Sequence, residues 1–209
     1  MRLLAIDTCL DASQAALIDD DEVVFACSEP MHRGHQERLA PMLAEAMAAA
    51  GVGFDGIDRI GVTVGPGSFT GLRVGLAFAK GLAIARGLPC VGVGVLEALA
   101  ASAGATGRVL AAIDAKREQL YLQAFDDGRA TGPPRAEWIA DFALPQPSRG
   151  LTIVGSGAPV LAQAAPDARI LPLAAPDPVA IARLAARVPE PDAPPSPIYL
   201  RAPDARLPS

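Results

Sequence analysis

The order of the apolar segments constrains the fold of this chain most. Three short strand-like runs open the sequence and are joined by tight polar turns; they are Leu3 to Asp7, Gln14 to Ile18 and Glu22 to Cys27. Such a series predicts an antiparallel meander. Helical and strand-like segments then alternate, and this pattern is typical of an α/β sheet with strands of mixed direction.

The alternating segments follow two different hydrophobic periods. Three- and four-residue spacing of apolar residues predicts a helix over Gln36 to Ala50 and another that ends near Arg86. Short continuous apolar runs predict strands over Arg59 to Val64 and Cys90 to Val93, and a short helix follows over Val95 to Ala101.

The composition changes at about Ser102 to Thr106, so we expect one lobe over residues 1–103 and a second, smaller lobe over residues 104–209. The second half is less regular. It is predicted to contain a hairpin, a strand and a helix, over Val109 to Phe125, Leu151 to Val154 and Val179 to Val188.

The tail of the second half is rich in proline. Residues 189–197 are expected to be extended and free to pack back on the first lobe. The run Ile198-Tyr199-Leu200-Arg201 is the last apolar anchor that the sequence offers.

Charge and composition limit the classes of function. The net charge is −5 and the sequence pI is about 5.0, with lysine only at Lys80 and Lys116, so the chain lacks the basic character of a protein that binds nucleic acid alone. If RNA is the substrate, another protein is expected to hold it.

The features that report on the cellular compartment favour the cytoplasm. The first residues do not resemble a signal peptide, and no apolar run reaches the roughly 20 residues that a helix needs to cross a bilayer. Cys9, Cys27 and Cys90 form no CxxC pair, so we expect three reduced thiols.

The stretch Gly65-Pro66-Gly67-Ser68-Phe69-Thr70-Gly71 is the sharpest local signal. It joins a strand to a helix, where backbone N–H groups can hold an anion. Leu72 stands where a P-loop needs lysine, and the glycine spacing does not fit the dinucleotide-binding pattern. The residues alone therefore favour a structural tight turn.

Small residues recur every fourth position in the helix after this loop, at Gly71, Gly75, Ala79 and Ala83. Each helical glycine costs about 1 kcal/mol relative to alanine, so we expect another element to approach that face closely. The chain's own sheet and a partner protein are equally good candidates. The apolar stripe of the preceding helix, from Leu39 to Met47, leaves the same two alternatives open.

Four motifs occur in order over nearly the whole chain: LLAIDTC, GPGSFTGLRVGLAFAKGLA, IDAKREQLYL and PIYLR. Together they resemble the TsaB family, also called YeaZ. The resemblance implies a two-lobed actin-like fold of mixed sheets, as in the superfamily of acetate and sugar kinases, Hsp70 and actin. It also implies that the second lobe is degenerate.

The family has a catalytic paralogue, TsaD, which transfers threonylcarbamoyl to the tRNA adenosine beside the anticodon. TsaD holds a metal through two histidines in an HxxxH pattern, and the matching positions here carry Val95 and Leu99. Neither side chain can ligate a metal. The resemblance therefore implies no catalytic residues, no metal and no cofactor in this chain, with ATP and the metal held by partner subunits.

The resemblance instead implies a non-catalytic scaffold or activator that pairs with a TsaD-like subunit through first-lobe helices. A TsaE-like ATPase joins the pair, tRNA is met only through the complex, and the chain alone is expected to form a homodimer. The interface is expected at Leu39, Met42, Leu43, Met47, Gly71, Leu72, Gly75 and Ala79.

A peptidase of the glycoprotease type, a label once given to this family, is a less favoured alternative. The only histidines are His32 and His35, no HEXXH motif occurs, and no G-x-S-x-G motif surrounds Ser68 or Ser156. The two imidazoles are expected to be solvated or to cap a helix entry.

Weak nucleotide binding or ATP hydrolysis is the main alternative. Its expected residues are Asp7, Thr8, Gly65, Gly67 and Ser68. Kinase activity is not expected, because Gly155-Ser156-Gly157 is the only candidate adenosine motif in the short second half. The charged residues Asp114, Lys116, Arg117 and Glu118 are expected to form a solvated turn, to which we assign no role.

Overall fold

The structure is a computed structural model that describes residues 1–201. Two β-sheets follow one another along the chain. The first sheet has the strand order β3-β2-β1-β4-β5. Its strands are β1 (Arg2–Asp7), β2 (Ala12–Asp19), β3 (Glu22–Pro30), β4 (Arg59–Thr63) and β5 (Cys90–Val93).

Strand direction within the first sheet follows from the connections. Strands β1, β2 and β3 are antiparallel because tight turns join them, whereas β4 and β5 run parallel to β1 because helices form the crossovers. The predicted meander and the mixed strand direction are confirmed.

The second sheet has the order β11-β10-β6-β7-β8, and β9 also pairs with β7. Its strands are β6 (Arg108–Asp114), β7 (Gln119–Asp126), β8 (Arg129–Ala130), β9 (Arg135–Trp138), β10 (Leu151–Val154) and β11 (Arg169–Leu171). The predicted hairpin is the antiparallel pair of β6 and β7, while β10 lies parallel to β6. The α/β class and the two-lobed arrangement of mixed sheets are confirmed.

Within residues 1–201, five α-helices cover the sheets: α1 (His35–Ala50), α2 (Phe69–Arg86), α3 (Val95–Ser102), α4 (Ala158–Leu161) and α5 (Pro178–Arg187). Helices α1 and α2 pack on one face of the first sheet, α5 packs on its other face, and α3 lies against the second sheet. None of the helices within residues 1–201 is both long enough and apolar enough to cross a membrane.

Strands β1, β2 and β4 of the first sheet are buried on both faces. Leu4 and Ile6 of β1 point into the core shared with α1 and α2, whereas Leu3 and Ala5 point into a separate core formed with α5. Because side chains alternate along a strand, a continuous apolar run is what such a doubly covered strand requires.

Helix α5 belongs to the first sheet in space although it lies within the range 104–209 predicted for the second lobe. A lobe boundary near residue 103 stays a prediction. Residues 202–209 of that predicted range lie outside the described residues.

Candidate functional site

The glycine loop is a closed turn between β4 and α2. Gly65 has a φ of +93°, and a cis peptide bond joins it to Pro66. Ser68 is the N-cap of α2, since its Oγ accepts a hydrogen bond of 3.3 Å from the backbone N–H of Gly71. The Ser68 N–H donates to the carbonyl oxygen of Cys9 at 2.7 Å. The polar groups of the loop are therefore engaged in hydrogen bonds to its own helix and to the β1–β2 turn.

The small residues of α2 make room for that same turn. A Cβ atom at Gly75 would lie 2.6 Å from Thr8 Oγ1, and one at Gly71 would overlap the carbonyl oxygen of Thr8. The Thr8 hydroxyl donates a hydrogen bond of 2.7 Å to the carbonyl oxygen of Gly71. The close approach expected from the glycine spacing is thus made by the chain's own β1–β2 turn.

Asp7 is buried at the end of β1. Its Oδ1 accepts hydrogen bonds from the Thr63 hydroxyl at 2.5 Å and from the Cys9 N–H at 2.9 Å. Burial raises the pKa of the Asp7 carboxyl above its ordinary value, against the opposing effect of these two hydrogen bonds. Asp7 and Thr8 are each only 1% exposed.

The residues expected to bind a nucleotide do not all lie at one site. Gly67 and Ser68 line the cleft between the sheets, but Asp7, Thr8 and Gly65 do not. The expectation for Asp7 and Thr8 needs correction, because both side chains are buried and internal hydrogen bonds hold the Thr8 hydroxyl and Oδ1 of Asp7.

The cleft itself has a volume of about 840 Å³. The first lobe contributes residues 9–11, the glycine loop and the start of α2; the second lobe contributes the β6–β7 turn and Ser156. In that turn Lys116 Nζ lies 2.9 Å from Asp114 Oδ2, and this contact raises the pKa of Lys116. Lys116 is exposed, as expected for a solvated turn, but it also faces the cleft.

The last described residues cross the cleft and form what we call the C-terminal strap, residues 198–201. The Ile198 N–H donates to the carbonyl oxygen of Val64 at 2.7 Å. Arg201 Nη1 donates to the carbonyl oxygen of Ala115 at 3.2 Å, in the second lobe. Sequence reasoning identified the strap as an apolar anchor but missed that it joins the two lobes.

An aromatic cluster lies where the strap meets α2. The ring centroids of Phe69 and Tyr199 are 5.3 Å apart, and the Arg73 guanidinium lies 3.8 Å from the centroid of the Phe69 ring. Arg73 Nε donates to Tyr199 Oη at 3.3 Å. Sequence reasoning missed this cluster, because Tyr199 lies 126 positions after Arg73 and no local pattern connects the two.

The residues expected to form the partner interface are all buried inside the chain: Leu39, Met42, Leu43, Met47, Gly71, Leu72, Gly75 and Ala79. Since they pack on the first sheet and on the β1–β2 turn, they present no surface to a partner. The residue assignment therefore needs correction, and a partner of these helices would meet their opposite faces.

Those opposite faces are made mostly of small or apolar residues. Helix α1 exposes Ala44 and Ala48, and α2 exposes Ala77, Gly81 and Ile84. The Ile84 side chain is 81% exposed. A groove of about 250 Å³ lies beside it, between the end of α2 and residues 190–194. We call the exposed sides of α1 and α2 the outer helix face.

Val95 and Leu99 lie in the first turns of α3 and are completely buried in the core. Neither side chain has an atom that could ligate a metal. Within residues 1–201, no three side chains of the His, Cys, Asp and Glu types come together as a metal site would require.

The two histidines lie in different environments. His32 is exposed and lies 3.0 Å from Asp11, whereas His35 is buried as the first residue of α1. Over the described part of the chain, no serine, threonine or cysteine side chain is hydrogen-bonded to either imidazole. A nucleophile held by a histidine base is therefore missing from residues 1–201.

Comparison with known proteins places these features in a family. Residues 29–187 match the family model described as "TsaD: tRNA N6-adenosine threonylcarbamoyltransferase". The tRNA threonylcarbamoyladenosine biosynthesis protein TsaB of Escherichia coli is 42% identical over 125 residues, or 58% of this chain and 53% of the relative. The alignment thus spans about half the length of that curated relative.

Two further similarities extend over nearly the whole chain. An uncharacterised protein of Mycobacterium bovis is 36% identical over 208 residues, or 98% of this chain and 93% of that protein. A Pseudomonas aeruginosa crystal structure described as similar to peptidase YeaZ is 31% identical with a TM-score of 0.82, over 96% of this chain and 99% of that chain. Together with the family-model match, these similarities show that the chain belongs to the TsaB (YeaZ) family.

Proposed function

We propose that this chain is a non-catalytic subunit of the complex that transfers threonylcarbamoyl to the tRNA adenosine next to the anticodon. The observation that carries the proposal is the apolar pair Val95 and Leu99 in a chain of this family. These residues are buried in the core at the positions where the resemblance places the metal-binding histidines of the catalytic paralogue.

This pair supports a division of chemistry between subunits. A metal that polarises a reacting group needs nitrogen, oxygen or sulfur ligands around an open coordination position. The α3 segment of this chain offers two hydrocarbon side chains inside a packed core. In the proposal, a TsaD-like subunit holds the metal, a TsaE-like ATPase uses ATP, and this chain supplies neither.

The outer helix face is the proposed surface for the TsaD-like subunit. Ala44, Ala48, Ala77 and Gly81 are small and exposed, so a second pair of helices could approach closely there. Ile84 stands out from this face and adds apolar area that a partner would remove from water. A four-helix contact between the two first lobes fits this surface.

The same face explains the proposed behaviour of the isolated chain. Without its partner, a second copy could cover the surface in a two-fold symmetric homodimer. The net charge of −5 supports indirect contact with tRNA, through the complex rather than through this chain. All three cysteines are free, which fits the proposed cytoplasmic setting.

Reconstitution of the complex tests whether this chain is required without being the catalytic subunit. The TsaD-like and TsaE-like proteins of the same organism would be combined with tRNA, threonine, bicarbonate, ATP and the adenylate-forming enzyme, with and without this chain. We expect threonylcarbamoyladenosine only when this chain and the TsaD-like protein are both present. Modification that proceeds equally well without this chain would refute the proposed role.

The interface is tested by a single substitution with a matched control. Ile84→Arg places a charge on the outer helix face and should abolish pairing with the TsaD-like protein. Val160→Arg changes a side chain that is 43% exposed on α4 of the second lobe, and it should leave pairing intact. Pairing would be measured by light scattering and by calorimetric titration. An unchanged dissociation constant for Ile84→Arg would move the interface elsewhere.

A further inference from the structure

The C-terminal strap makes polar contacts with both lobes within four residues. Ile198 is held by Val64 at the end of β4, and Arg201 is held by the β6–β7 turn through Ala115. Gly65 allows the strap to lie close, since a Cβ there would be 2.9 Å from the carbonyl oxygen of Ile198. The strap is therefore a built part of the molecule, with a defined position beside α2.

Between its two attachments the strap carries Tyr199, which lines the cleft together with Phe69 and Arg73 and is partly exposed. This ring is 43% exposed, and its neighbour Phe69 is 39% exposed. The two rings are in tilted contact, and each keeps part of its area in solvent at the same point of the surface. Arg73 extends the pair with a guanidinium over the Phe69 ring.

In the described part of the structure, the positive charge of the Arg73 guanidinium is not paired with a carboxylate. No carboxylate within residues 1–201 forms an ion pair with it, although its Nε is committed to Tyr199 Oη. A guanidinium can donate up to five hydrogen bonds in a planar fork and pairs well with carboxylates. Its terminal nitrogens can thus receive an acidic group from outside.

The cluster is continuous with the outer helix face. At 100° per residue, Phe69 and Arg73 lie on the same side of α2 as Ala77 and Ile84, whereas Leu72 and Ala79 lie on the buried side. A protein that covers the outer helix face would reach the cluster at the N-terminal end of α2.

We propose that the partner-docking surface continues from α2 onto the C-terminal strap, with Phe69, Arg73 and Tyr199 as its anchor. The inference rests on the proposed function, and the occupant is the TsaD-like subunit. That subunit presents an apolar side chain to the two rings and a carboxylate to Arg73. Tyrosine and arginine are the residue types in which binding energy is most often concentrated at protein interfaces.

The position of the strap gives this anchor a second consequence. Tyr199 lies two residues before Arg201, which is bound to the second lobe. Docking that fixes the Tyr199 ring therefore also fixes the strap across the cleft. A partner that binds Tyr199 would therefore contact a segment that is hydrogen-bonded to both lobes.

Calorimetric titration of the TsaD-like protein into full-length variants tests the inference. Tyr199→Ala should weaken the dissociation constant roughly tenfold or more, as expected for an interface anchor. Trp138→Ala removes another exposed aromatic ring, 51% exposed on β9, and should change it by no more than about twofold. Arg73→Gln should weaken binding and reduce its dependence on salt concentration.

The outcomes separate this inference from the proposed function. If Ile84→Arg abolishes pairing while Tyr199→Ala and Arg73→Gln bind like the unmodified chain, the anchor is refuted and the helix interface stands. If Ile84→Arg pairs normally, the docking surface is refuted as a whole. Should Tyr199→Ala lower the melting temperature, Arg73→Gln still decides, because an unchanged salt dependence overturns the anchor.

Discussion

The hydroxyl group of Thr8 donates a hydrogen bond to the carbonyl oxygen of Gly71, which lies 63 positions further along the chain. Both groups are buried, and the bond ties the end of β1 to the first turn of α2. Because α2 forms part of the outer helix face, this contact helps to fix the position of the surface that a partner would bind. Glycine at positions 71 and 75 is the condition for the contact.

Gly75→Val should therefore destabilise the isolated chain. The first added atom would lie 2.6 Å from Thr8 Oγ1, so the turn or the helix must shift. Overpacking of this kind costs about 1–3 kcal/mol. Urea denaturation monitored by circular dichroism would measure the loss.

Gly81→Ala is the matched control on the same helix. A Cβ at Gly81 meets no atom within 4 Å, so only the helix propensity changes. We expect a gain of about 0.5–1 kcal/mol in the free energy of unfolding. Equal effects of the two substitutions would contradict the close packing against Thr8.

Thr8→Val tests the hydrogen bond without changing the shape of the side chain much. Its removal should cost about 0.5–1.5 kcal/mol of unfolding free energy, as for other buried hydrogen bonds. Thr106→Val, at an exposed loop position, should have little effect. A stability equal to that of the unmodified chain would show that the Thr8 hydroxyl contributes nothing to the fold.

Asp7→Asn should change how stability depends on pH. Burial raises the pKa of Asp7 above 3.8, so the folded chain holds this proton at a pH where the unfolded chain releases it. The stability of the unmodified protein consequently falls as pH rises from the unfolded pKa through the raised folded value. An amide at this position does not titrate, so the substitution removes this loss.

The Asp7→Asn variant should thus be as stable as the unmodified chain or more stable at neutral pH, and its relative advantage should shrink in mild acid. Its amide could also donate to Gln14 Oε1, since Gln14 pairs with position 7 in the sheet and that oxygen lacks a partner within residues 1–201. Denaturation curves across the acidic range provide the measurement. A pH-independent difference would contradict the raised pKa.

The cysteines should react with a thiol reagent at different rates. Burial raises the pKa of all three thiols, that of Cys90 to about 11, but only Cys27 is partly exposed to a reagent, whereas Cys9 and Cys90 are buried. Because the thiolate is the reactive form, we expect one early modification, at Cys27, and two that require the fold to open. Mass spectrometry of partially labelled protein would identify the order, and early labelling of Cys90 would contradict the packing of β5.

The order of elements could be predicted because hydrophobic period is a local property. Runs such as Leu3 to Asp7 and the three- and four-residue spacing from Leu39 to Met47 indicate strand and helix directly. The same spacing could not say what covers a stripe. The stripe from Leu39 to Met47 packs on the first sheet, and its apolar character was equally compatible with a partner protein.

Helix α2 shows more clearly that the sequence does not identify the buried side of a helix, since both of its sides carry small or apolar residues. Gly75 faces the β1–β2 turn and Ala77 faces solvent, yet the two differ by a single methyl group. The cluster at Tyr199 lay beyond sequence reasoning for another reason. Its contact with Phe69 and Arg73 depends on the path of residues 188–198, and an extended proline-rich segment gives no periodic signal for that path.

Helix α5 has a consequence for how the molecule is made. Its residues Ile181 and Ala185 fill the core over Leu3 and Ala5, so the earliest strand receives part of its cover from one of the last elements. During translation, the whole second sheet leaves the ribosome before that cover arrives. The apolar side of the nascent first sheet therefore lacks its α5 cover until nearly all of the described chain has been made.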